Sequence, residues 1–131
     1  MTTEILTEVP SLVLRFLREE DAEELSLRVD ENREHLRRWM PWLDGAKDIS
    51  DQLKFIQRCS EGAVAGTAFH YAILSGGEMI GMVSLNSIEN HNRCATTGYW
   101  LAKSQTGRGL MTAALKALIA EGFQHLELNR I

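Results

Sequence analysis

The chain has 131 residues, a formal net charge of -4 and 44% apolar residues, which describes one soluble globular domain of ordinary composition. Charged residues at 24%, aromatics at 7% and only two prolines exclude disorder, low complexity and collagen-like sequence. The acidic balance argues against a nucleic-acid partner, because phosphate binding wants clustered Lys and Arg, and no apolar run approaches the about 20 residues that span a bilayer.

In chain order, LVLRFL at 12–17 alternates as a first strand, and Glu19, Glu20 and Asp21 then suit the opening turn of a helix, where carboxylates meet the positive dipole end. Leu25, Leu27, Val29, Leu36 and Trp39 carry the apolar pattern to Met40, and Pro41 stops it. Along it, Arg33, Arg37 and Arg38 alternate with Glu31 and Glu34, the pattern of a solvated helix face. A second helical stretch runs over 48–60, with Ser50 as its N-cap and Leu53, Phe55, Ile56 and Cys59 as its stripe. From Thr67 the period changes to that of strands: FHYAIL and MIGMVSL, joined at Gly76 and Gly77, read as a hairpin. ATTGYWLA follows as a further strand, whose interior Gly98 marks a bulge or a close approach. Residues 109–126 repeat Leu110, Ala114, Leu118 at helical spacing, and ELNRI begins another strand. Helices therefore pack on a largely antiparallel sheet. Cys59 and Cys94 form no CxxC pair; a reduced, cytoplasmic setting and no metal are expected.

The chemistry-bearing segment is GYWLAKSQTGRGLMTAALKAL, a strand that enters a glycine-punctuated turn and then an amphipathic helix. Gly107 and Gly109 flank Arg108 where the helix begins, so backbone amides and the helix dipole converge on an anion site suited to a phosphate or pyrophosphate. Neither the Walker pattern nor the six-residue dinucleotide fingerprint is present.

This segment resembles the coenzyme-A-binding motif of the GNAT superfamily of N-acetyltransferases, Q/R-x-x-G-x-G/A, with Gly107 and Gly109 at its small positions. WMPW at 39–42, IGMVSL at 80–85, GYWLA at 98–102, GRGLMT at 107–112 and LNRI at 128–131 are similar, in order, to the branch that acetylates ribosomal-protein N-terminal residues. The resemblance implies an α+β fold, with a central, mostly antiparallel mixed sheet and helices on both faces, in the order β-α-α-β-β-β-α followed by a strand onset. It implies transfer of acetyl from acetyl-coenzyme A to a protein N-terminus or a small amine. The coenzyme would lie along Trp100, Leu101 and Ala102 and against Gln105, Thr106, Gly107, Arg108, Gly109, Leu110, Met111 and Thr112, with its pantetheine arm pairing with the strand and a bulge near Gly98 admitting it. Trp39, Met40, Trp42 and Asn86 would meet the acceptor, Ser84 beside them, while His70 and Asn86 are the candidates for catalysis. His35, His91 and His125 read as surface residues, and Tyr99 divides evenly between packing and binding.

Two departures accompany the match. Ser104 stands where the motif has Gln or Arg, with Gln105 one place late, and a carboxylate that relatives carry near Thr96 is absent. Family members continue past LNRI with a strand, a helix and two more strands, so the expectation is one domain over 1–131 lacking the C-terminal part of its fold. A second expectation follows: a non-catalytic fragment that binds coenzyme A weakly, or pairs two copies through its exposed last strand.

Overall fold

The computed structural model describes residues 1–38, 40 and 48–131. The elements are β1 (Glu4–Leu6), β2 (Leu12–Phe16), α1 (Ala22–Glu31), α2 (Arg33–Arg37), α3 (Ile49–Ala65), β3 (Phe69–Ser75), β4 (Glu78–Glu89), β5 (Cys94–Leu101) and α4 (Leu110–Leu126). The strands form a single antiparallel sheet in the order of the chain, β1 to β5. Strand alternation sorts the side chains into two layers. Leu12, Leu14, Tyr71, Ile73, Val83, Leu85 and Leu101 pack on Ala113, Ala114 and Leu118 of α4. On the other face Ala72, Met82 and Trp100 meet Leu25 and Val29 of α1, Leu36 of α2, and Ile56 and Cys59 of α3. Burial pushes the Cys59 thiol up to about 12, so it fills the core as an inert side chain.

Three local features depart from the sequence reading. β1 is absent from the sequence reading, since three residues with only Ile5 buried carry too little alternation to register. The cap of α3 is Asp48, not Ser50: the Asp51 N–H donates to Asp48 Oδ1 at 2.9 Å while the Asp51 carboxylate reaches back to the Asp48 N–H at 3.4 Å, and Ser50 lies inside the helix. Glu19–Asp21 form a 3-10 turn ahead of α1. Asp21 stands at the N-cap position of α1 but its side chain makes no cap bond there; it is buried beside Arg15, whose two terminal guanidinium nitrogens donate to its carboxylate at 2.8 and 3.0 Å.

The β3–β4 hairpin turns where expected, on Gly76 at φ 57° and Gly77 at φ 88°, both in the left-handed region that a two-residue turn of this hand demands. Gly81 is the tightest point of the sheet: a methyl group there would overlap the Trp100 carbonyl oxygen and sit 3.0 Å from Leu101 Cα. Both obstacles are backbone, so Gly81→Ala is expected to lower unfolding stability by about 2 kcal/mol, read from urea denaturation. No helix of the described residues is long and apolar enough to cross a membrane.

Candidate donor groove and acceptor cavity

β5 is an edge strand for most of its length. Beyond β4, its neighbour is the segment after α4, which touches it at a single parallel bridge, Cys94 with Arg130. Towards Leu101 no described strand lies on that side. The Ala102 N–H donates to the Ile80 carbonyl at 2.7 Å, which fixes the phase of the ladder. Trp100 and Gly98 spend their peptide groups on β4, and Ala102 gives β4 its N–H while its carbonyl accepts the Gln105 N–H at 2.9 Å, whereas the peptide groups of Leu101 and Tyr99, in the alternate pairs, point outward. The outward groups are therefore on Tyr99 and Leu101 rather than on Trp100 and Ala102.

After β5 the chain makes a 3-10 turn over Lys103–Gln105 and then reaches Gly107 at φ 77° and Gly109 at φ 74°. A Cβ at either position would meet nothing within 4 Å, so it is conformation and not space that calls for glycine. Gly109 is the N-cap residue of α4 and supplies no side-chain cap. Its carbonyl receives the Ala113 N–H at 3.1 Å, the first bond of the helix, so the N–H groups of Leu110, Met111 and Thr112 have no helical acceptor. No acidic residue occupies that first turn. Amide donors and the positive end of a 17-residue helix thus share one opening.

That opening is a groove of about 590 Å³ between α2 and the loop before α4. His35, Leu36 and Met40 form one wall, Gln105, Thr106, Gly107, Gly109, Leu110, Met111 and Thr112 the other, and Tyr99, Trp100 and Leu101 the floor. Of the residues expected here, Ala102 and Arg108 lie outside the lining: Ala102 is buried against Ile80, and Arg108 is exposed. His35 is a residue the sequence reading placed at the surface. No spacing in the sequence marks it, since a separation of five residues from Met40 does not put two side chains on one helix face.

A second cavity, of about 320 Å³, lies under α3 on the same face of the sheet. His70, Ser84 and Gly98 are directly opposite one another across β3, β4 and β5, and Asn86 follows two residues on. Asn86 Nδ2 donates to Ser84 Oγ at 2.9 Å, and Ser84 Oγ donates to the Gly98 carbonyl at 3.4 Å. Gly98 is the close approach, not the bulge: a Cβ there would lie 2.9 Å from Asn86 Nδ2 and 3.0 Å from Ser84 Oγ. The irregularity of this strand pair falls beyond it, between Asn86 and Glu89, where Ser87 takes φ 50°. His70 packs edge-on against Phe55 at 5.6 Å, and its Nδ1 is buried with no hydrogen-bond partner. Burial lowers its pKa, so the imidazole is neutral at pH 7.

Met40, Tyr99 and Trp100 line both cavities, so the two adjoin at the end of β5. The sequence-derived set His70, Ser84, Asn86 and Met40 is brought together here, with Phe55 and Met82 added from the neighbouring core. Trp39 and Trp42 lie outside the described residues.

Comparison with known proteins accords with this geometry. The chain is 32% identical over 128 residues to the ribosomal-protein-serine acetyltransferase of Escherichia coli (strain K12), covering 98% of this chain and 72% of that protein. It is 31% identical over 128 residues to YdaF of Bacillus subtilis (strain 168), covering 92% of this chain and 66% of that protein. A solved structure titled RimL, ribosomal L7/L12 alpha-N-protein acetyltransferase, in complex with coenzyme A, is similar at a TM-score of 0.86 and 30% identity, over 90% of this chain and 66% of that one. The chain thus spans about two thirds of the length of YdaF and of the RimL structure. Residues 11–131 match the family described as Acetyltransferase (GNAT) domain, and with that match over nearly its whole length the chain belongs to the GNAT acetyltransferases.

Proposed function

We propose that this chain is an acetyl-coenzyme-A-dependent N-acetyltransferase whose acceptor is the N-terminal amine of a protein or peptide. The observation that carries the reading is the junction of the two cavities at Met40, Tyr99 and Trp100, which gives donor and acceptor a shared boundary at the end of β5. The groove suits the donor chemically. Its amide donors at Leu110, Met111 and Thr112 match a pyrophosphate, and the outward peptide groups of Tyr99 and Leu101 match the amides of a pantetheine arm. When bound, acetyl-coenzyme A supplies an acetyl group activated as a thioester. An outward N–H at the strand edge is a fixed donor of the kind that stabilises charge growing on a carbonyl oxygen.

The acceptor cavity is polar where Ser84, Asn86 and His70 line it and apolar at Phe55, Met82 and Trp100. That mixture suits the first residue of a peptide, held by hydrogen bonds to its backbone. The amine must shed its proton before attack. His70 lies on β3, two strands and about 10 Å from the β5 edge at ordinary strand spacing. From there its ring lines the acceptor cavity, and the amine's proton passes to solvent water.

The test is a thermal melt of the 131-residue chain with acetyl-coenzyme A, followed by mass spectrometry of a peptide incubated with both. Ligand at about 100 times its dissociation constant adds about 2.7 kcal/mol, which for a domain of this size raises the melting temperature by about 10 °C. Acetylation is expected on a peptide with a free α-amine and not on the same peptide blocked there. A flat melt, a shift reproduced in full by ADP, or equal acetylation of the blocked peptide on a lysine would overturn the reading.

A further inference from the structure

The two walls of the donor groove come from distant parts of the chain, α2 and the loop before α4, and one buried side chain ties them. Asn32 sits at the junction of α1 and α2 with 8% of its surface exposed. Its Oδ1 accepts the Lys103 N–H at 2.9 Å, at the first residue of the turn that leads from β5 into the glycine loop. Its Nδ2 donates to the Arg28 carbonyl at 2.8 Å, and its own carbonyl receives the Leu36 N–H at 2.8 Å. Asn32 therefore ends one helix, starts the next and holds the loop. The same stripe of α1 continues the attachment one and two turns back. Arg28 Nε donates to the Met79 carbonyl at 2.9 Å, and Glu24 accepts the Met79 N–H at 3.0 Å. Residues at i, i+4 and i+8 of one helix thus grip the start of β4 and the end of β5 by their backbones.

We infer that Asn32 is a positioning residue for the donor: by fixing Lys103 against the α1–α2 junction it sets the distance between His35, Leu36 and Met40 on one wall and the amide donors of the loop on the other. This rests on the reading of the groove as the acetyl-coenzyme A site. Removing the side chain leaves the Lys103 N–H without its acceptor and frees the loop to draw away from α2. Asn32 itself lines neither the groove nor the acceptor cavity, so the loss of its side chain is felt in donor affinity and not in turnover.

The interaction can be broken from either side. Lys103 is the first residue of a 3-10 turn and follows Ala102 at φ -56° and ψ 138°, an extended residue that tolerates a following proline. Lys103→Pro deletes the N–H but sets its Cδ against Asn32 Oδ1, so it is read in the Asn32→Ala background, where that crowding is gone, and Lys103→Ala serves as its reference for the lost charge. Asn32→Ala is expected to raise the KM for acetyl-coenzyme A about five- to tenfold with kcat within about twofold. The double variant of Lys103→Pro with Asn32→Ala shows no further rise, because both changes remove one bond. Hydrogen exchange of the Lys103 amide, measured without ligand, shows protection in the parent chain that Asn32→Ala removes. Unchanged KM in Asn32→Ala alongside a lowered melting temperature, or a further rise in the double variant, would overturn the inference. If the parent chain takes up no acetyl-coenzyme A while the Lys103 amide is protected as described, the functional reading has failed and the positioning role falls with it.

Discussion

Valine in place of Gly98 is expected to lower acetyl transfer by about a hundredfold or more while acetyl-coenzyme A affinity stays within a few-fold. The first added carbon alone would lie 2.9 Å from Asn86 Nδ2 and 3.0 Å from Ser84 Oγ, so both polar groups must swing from the positions where they bond each other and the Gly98 carbonyl. The remaining methyl groups then enter a cavity of only about 320 Å³, opposite His70. Misplacing the acceptor by about 1 Å costs on the order of a hundredfold in rate. Folding should survive, since Gly98 is not among the residues at positive φ and a β-branched side chain suits a strand. Steady-state kinetics with calorimetric titration of the donor separates the two cavities. A parallel fall in donor affinity would mean that Gly98 serves the groove, and unchanged turnover would mean that the acceptor binds elsewhere.

The parts of this molecule legible in the sequence are those written in periodicity and glycine. The shift from helical to strand period at Thr67 located the hairpin, and the Gly76–Gly77 pair located its turn, because a two-residue turn needs left-handed backbone at both positions. Gly107 and Gly109 marked the loop into α4 for the same reason. What spacing cannot convey is which peptide groups a ladder leaves unpaired. That depends on the phase of hydrogen bonding between β4 and β5, and it moves the outward groups to Tyr99 and Leu101. Nor does a sequence show that Asn32 and Lys103 meet across 71 positions, or that His35 turns into the groove. Both follow from how α1 and α2 lie on the sheet. The acidic stretch before α1 shows a different limit. Helix-dipole reasoning placed Asp21 in the opening turn of a helix, but Arg15, on the strand just before it, offers its carboxylate two charged donors where a helix end offers neutral N–H groups.

That preference makes Asp21 a costly side chain to remove. Its carboxylate has 8% of its surface exposed, pairs with both guanidinium nitrogens of Arg15 and also accepts the Arg18 N–H at 2.8 Å. Asp21→Ala leaves the Arg15 guanidinium, itself 17% exposed, without the partner that compensates its burial. Breaking such a pair from one side typically costs about 3–5 kcal/mol, and the lower figure is expected here because Arg15 keeps some solvent. By urea denaturation at pH 7 the variant should therefore be about 3 kcal/mol less stable than the parent chain, a large share of the stability of a small domain. The pH dependence identifies the charge as the cause. Burial alone would push the Asp21 carboxyl up, but the Arg15 guanidinium and the Arg18 N–H outweigh it and hold the carboxyl below its ordinary value. A carboxylate depressed in the folded state stabilises above its unfolded pKa of about 3.9 and loses that contribution as pH falls through the folded value. The gap between parent and variant should accordingly be constant from pH 7 down to about 4 and narrow below it. A gap that persists undiminished well below pH 3 would mean that the side chain acts through packing and hydrogen bonds that outlast its charge.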